Sequence, residues 1–142
     1  VAVLLTGLKN YHQITGDRSV ADSIVRGARF VIHDMWVPEV KGFRYTSCPK
    51  SVSGGVSPSW SNFLLFDGIV YAHQLSNDPT IRRVLLEGTP GAIQEMATIG
   101  AIVVSDDGKE PAPGIVGKEF TQYTRVAPHF IGYLAQLAEE QP

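Results

Sequence analysis

Val1, Leu4, Leu5, Leu8 and Tyr11 recur at the i, i+3, i+4, i+7 spacing that gives an α-helix one buried face. "TGD" interrupts this pattern. Gly16 suits a left-handed C-terminal cap, and Asp17 suits the N-cap of a second helix. The helical spacing then resumes at Val20, Ile24, Ala28, Val31, Ile32 and Met35. Two antiparallel helices joined by a tight turn are therefore predicted, a hairpin over about 1–36.

Ser57-Pro58 opens a second hairpin, with Ser as N-cap and Pro at the first helical position. The helix that follows, "SWSNFLLFDGIVYAHQL", is apolar nearly all round, which predicts burial on several sides. "SND" stands where "TGD" stood, and Asp78-Pro79 starts the return helix. Gly88-Thr89-Pro90 conflicts with that helix, because an interior Pro costs about 3 kcal/mol. Two shorter helices roughly in line, or one kinked helix, are predicted across 79–97. After Met96, Asp-Asp-Gly and Pro-Ala-Pro mark a connector, and "AIVV" suits a helix tail or a short strand. A last amphipathic segment, kinked or restarted at Pro128, makes half of a third hairpin.

The two hairpins match each other in sequence. A shift of 61 residues aligns Gly7–Met35 with Gly68–Met96 without a gap. Gly7 meets Gly68, His12 meets His73, Gln13 meets Gln74, Asp17 meets Asp78, Gly27 meets Gly88, Ile32 meets Ile93 and Met35 meets Met96. The expected fold is all-α: antiparallel helical hairpins repeating about every 61 residues. Its parts are hairpin 1 at about 1–36, a connector at 37–57, hairpin 2 at about 58–97, a connector at 98–117 and a half hairpin at 118–140.

Composition narrows the function classes. At 44% hydrophobic and 18% charged residues over 142 positions, the chain can build a core and is not of disordered type. A net charge of -2 with no basic face argues against nucleic acid. No apolar run reaches the roughly 20 residues of a membrane span. One cysteine excludes an internal disulfide framework. The chain opens at "VAVLLTGL" without an initiator Met, so it is expected to be a piece of something longer.

Long hairpins with short turns at one end and long irregular connections at the other resemble the (α/α) toroids. "YHQITGDRSVADSIVRGARFVI" is similar to the helix, turn, helix unit of the six-hairpin glycosidase-like group, and "GFRYTSCP" and "SPSW" to its connections. That group includes glycoside hydrolases, polysaccharide lyases and sugar epimerases. The resemblance implies a partial toroid, the C-terminal portion of a carbohydrate-active enzyme, which completes a barrel and lends part of a sugar-binding rim. A secreted or periplasmic location would follow. No catalytic residue carries over, since no glycosidase signature is present.

Such a rim would collect Trp36, Tyr45 and Trp60 with Asp34, Glu39, Arg44, Asn62, Asp106, Asp107 and Glu110. Aromatic faces and directional hydrogen bonds suit a pyranose ring, so Trp36, Arg44, Tyr45, Trp60 and Asn62 are the substrate-binding candidates. Asp67 and Glu39 are the carboxylates considered for acid–base work. Asp67 lies in the most apolar helix and needs a buried partner. His12 and His73 recur next to Gln and are read as turn-stabilising, not metal-binding. Cys48 has no hydrolase signature around it and is read as a plain buried or half-buried thiol. "SVSGG" lacks the features of a phosphate loop, and neither a cofactor nor a metal is expected.

The rival to the carbohydrate reading is a non-enzymatic helical-repeat module that binds a protein partner. Convergence of Trp36, Tyr45, Trp60 and a carboxylate on one concavity favours sugar; separate burial favours the module. A barrel cut through would leave helices uncovered, so a homo-oligomer or packing against further chain is also expected.

Overall fold

The computed structural model describes residues 1–48, 56–99, 131–137 and 139–140. The described fold is mainly helical: α1 (Ala2–Thr15), α2 (Arg18–Met35), α3 (Pro58–Ser76) and α4 (Pro79–Ile99), with a further helical segment at 131–137.

The two tight turns are built alike. Gly16 (φ 66°) and Asn77 (φ 50°) both take the left-handed conformation that ends a helix, and their N–H groups donate to the carbonyls of His12 and His73. Thr15 and Ser76 hydroxyls each donate back one turn, to the carbonyls of Tyr11 and Ala72. Asp17 then caps α2 by accepting from Ser19 N–H at 2.8 Å, and Asp78 caps α4 by accepting from Thr80 N–H at 2.8 Å.

The first long connection departs from the expected irregular loop. It contains a three-stranded antiparallel sheet in the order β1 (Trp36–Val37), β2 (Gly42–Arg44), β3 (Val56–Ser57). Trp36 stands opposite Phe43, and Phe43 opposite Ser57. Phe43 is wholly buried and anchors the sheet to the helices. Its neighbour Arg44 points the other way and is exposed, as the alternation of a strand requires.

Of the two alternatives expected across 79–97, α4 is the single helix, with Pro90 inside it, and not two pieces. Packing outweighs propensity here. Ile81, Val84 and Leu85 are completely buried, and Thr89 Oγ donates to the Leu85 carbonyl at 2.6 Å beside the proline.

As its apolar sequence predicts, α3 is central and touches α1, α2, α4 and the sheet. Phe63, Phe66, Ile69 and Ala72 of α3 meet Ile24, Ala28 and Val31 of α2 and the apolar face of α4 in one core. Glycines set how closely these helices approach. Leu5 of α1 sits over both Gly27 and Gly68, where a Cβ would stand 3.0 Å from Leu5 Cδ2 and 2.5 Å from Leu5 Cβ, respectively. Phe66 of α3 occupies the corresponding place over Gly88, with Cζ 2.9 Å from a Cβ built there.

Candidate functional site

Polar groups inside the helical layer come first, because burial makes their partners obligatory. Asp67 is 3% exposed between α3 and α1. It accepts from Lys9 Nζ at 2.6 Å and from Thr6 Oγ at 3.2 Å. Both oxygens are thus engaged by the neighbouring helix, and the carboxylate offers no open edge to a substrate.

His12 and His73 are not turn-stabilisers through their rings. His12 Nδ1 shares a 2.8 Å hydrogen bond with the Tyr71 hydroxyl, and His73 Nδ1 a 2.6 Å bond with the Tyr133 hydroxyl. Each bond joins the first helix of one hairpin to a later helix: α1 to α3, then α3 to the segment 131–137. Burial lowers the His73 pKa, the Arg82 charge adds to this, and Asp78 and Glu140 oppose it. Burial likewise raises the Tyr133 phenol, helped by Glu140. Both shifts favour the neutral forms of the second pair.

Asn62, taken from sequence as a sugar contact, is fully buried. Its side-chain oxygen accepts from Phe43 N–H at 3.3 Å, and its nitrogen donates to the carbonyls of Lys41 at 2.9 Å and Gly88 at 3.1 Å. It ties the sheet to α3 and α4, and that is a structural post.

The remaining candidates divide between two grooves. Arg44 and Tyr45 line one of about 390 Å³, with Val1, Val3, Met35 and Leu64 along its walls. Tyr45 is 53% exposed there. Trp36 lines another groove, of about 360 Å³, with Arg29, His33, Asp78 and Arg83. Its ring is half-buried, edge-on to Phe43 at 5.0 Å, and its Nε1 is buried without a hydrogen-bond partner. Arg29 Nε donates to Asp78 Oδ2 at 2.8 Å. Burial alone would raise the Asp78 pKa, but the Arg29 bond and the Thr80 and Ile81 amides hold it below the usual carboxylate value.

Trp36 and Tyr45 therefore do not share a groove. Glu39 is exposed in the turn between β1 and β2, whereas Asp67 is sealed between helices. Asp34 is exposed and bonded to His33 at 2.6 Å. Cys48 is exposed, not buried as expected, and its N–H donates to Thr46 Oγ. The side chain of Trp60, and Asp106, Asp107 and Glu110, lie outside the described residues.

No protein-family model matches the chain, and comparison with curated proteins and with solved structures gives no match.

Among the described residues no cluster of three or more His, Cys, Asp or Glu could hold a metal, and no helix is long and apolar enough to cross a membrane. Sequence reasoning missed Lys9, Thr6, Tyr71 and Tyr133. One signal was present: Thr6 and Asp67 stand 61 positions apart, as do His12 and His73.

Proposed function

We propose that the chain is a helical-repeat interaction module, built from stacked hairpins of about 61-residue period, that binds a protein partner and does not turn over a substrate. One observation carries the reading. The polar groups best suited to chemistry, Asp67, Asn62, His12 and His73, are all engaged in bonds between elements of the fold. Trp36 and Tyr45 fall in separate grooves, and among the described residues the Arg44–Tyr45 groove has no carboxylate in its wall.

A second reading, the C-terminal part of a carbohydrate-active (α/α) toroid, keeps one favourable feature. An exposed tyrosine ring beside an arginine, along a groove of about 390 Å³, suits a sugar ring. A polysaccharide-binding screen and a hydrolase and lyase assay on the chain, with Tyr45→Ala and Arg44→Ala alongside, decide between the two. The module reading expects neither saturable binding nor turnover. Saturable binding that weakens about tenfold in Tyr45→Ala would replace it with the sugar reading.

A further inference from the structure

We propose that the outward face of α1 is a docking surface for the first helix of one further hairpin of this same kind. That helix would carry a bulky apolar residue and, seven positions on, a histidine, as Leu5 and His12 do in α1 and Phe66 and His73 in α3. This inference deepens the module reading and rests on it.

The face itself is apolar and open. Val3, Gly7, Tyr11 and Ile14 follow one another at i, i+4, i+8 and i+11, a single stripe on the helix, with Leu4 beside it. Val3 is 83% exposed, Ile14 86%, Leu4 62% and Tyr11 53%. The opposite side of α1, through Leu5, Thr6, Lys9 and His12, is the side that meets α3. An exposed apolar stripe of this extent on a small fold marks an interaction surface.

The structure also indicates what fits there. The stripe on α3 that receives α1 contains Gly68, covered by Leu5, and Tyr71, bonded to His12. Gly7 stands 61 positions before Gly68, and Tyr11 stands 60 before Tyr71 and 122 before Tyr133. Each of these later tyrosines reaches back to the histidine on the first helix of the preceding hairpin. Among the described residues, no histidine meets the Tyr11 hydroxyl in that way.

Gly7 supplies an independent argument. Glycine within a helix is destabilising relative to alanine, so it is kept where a side chain would obstruct something. At Gly68 the obstruction is Leu5; at Gly7 nothing lies within 4 Å of a built Cβ. Gly7 is thus the uncovered counterpart, 61 positions earlier, of a glycine that is covered. α1 therefore offers the glycine in register with Gly68, and a tyrosine one position beyond the place of Tyr71 but in register with Tyr133, to a helix of the Leu5–His12 pattern.

The test fuses a copy of residues 1–61 ahead of Val1, which puts a second Leu5 and His12 as far before Gly7 and Tyr11 as the native ones are before Gly68 and Ala72. Docking predicts one cooperative melt at higher temperature than that of the 142-residue chain, with α1 amides exchanging about tenfold more slowly. Gly7→Leu should abolish both gains in the fusion, yet leave the 142-residue chain folded with an unchanged or higher Tm. Separate melting of the added copy, or equal gains with and without Gly7→Leu, overturns the proposal.

If circular dichroism shows that the added copy is not helical, a stapled helical peptide of residues 2–15 replaces it, titrated against the chain and its Gly7→Leu variant. Saturable binding to the first that is about tenfold weaker to the second supports docking. Equal binding, or none, overturns it. Neither arm involves sugar, so a failure here is distinct from a failure of the module reading in the polysaccharide screen.

Discussion

Removing either end of the Lys9–Asp67 pair leaves the other charge buried between α1 and α3, since the two side chains are only 9% and 2% exposed. Lys9→Ala or Asp67→Ala is expected to lower unfolding free energy by about 3–5 kcal/mol in urea denaturation, whereas Lys9→Met combined with Asp67→Leu should recover most of it. Asn62→Ala strands the Phe43 N–H in the interior, and a loss of about 1–3 kcal/mol is expected by the same measurement. These roles were only half legible. That Asp67 needs a partner follows from its apolar helix, but Lys9 is 58 positions away and nothing local in the sequence links the two. Asn62 misleads for a related reason. A polar residue near a helix start suggests exposure, and only the three-dimensional course of the connector brings Phe43, Lys41 and Gly88 around it.

At the scale of elements, the helices and their turns follow directly from local chemistry. Gly16 and Asn77 supply the left-handed caps, Asp17 and Asp78 supply the N-caps, and none of these interactions depends on distant chain. "GFRYTS" reads in sequence as a short extended segment with alternating sides, but its pairing into a sheet was not visible, because strands of two or three residues leave too little pattern to set a register. Sequence left open whether α4 continues through Pro90, because the choice depends on packing that no local rule contains. Pro90→Ala restores a backbone donor and is expected to raise stability by about 1–3 kcal/mol, read as a higher Tm. Gly68→Ala should do the reverse, costing about 1–3 kcal/mol, because its new methyl would stand 2.5 Å from Leu5 Cβ. The pair of substitutions separates a glycine required by helix approach from a proline that is merely tolerated.

For the whole molecule, His73 couples stability to pH. Its pKa is lowered on folding from the ordinary 6.5, chiefly by burial, so the unfolded chain binds its proton more readily. Stability from this site is complete above about pH 6.5 and is lost as pH falls through the lower folded value. Denaturation midpoints measured from pH 7.5 to 5 should therefore decline on the acid side, and less steeply in His73→Gln. Asp17 and Asp78, both held below the usual carboxylate value of 3.8, lose their contribution only at more acid pH. The His–Tyr bonds have one more consequence, for symmetry. Each joins unlike surfaces, histidine on the earlier helix and tyrosine on the later, so the contact is heterologous. Two copies meeting α1 to α1 about a two-fold axis would set tyrosine against tyrosine and glycine against glycine, with both glycines left uncovered. Growth through this surface, as proposed, would be polar, head to tail, and would close into a ring only if the rotation per hairpin divides a full turn.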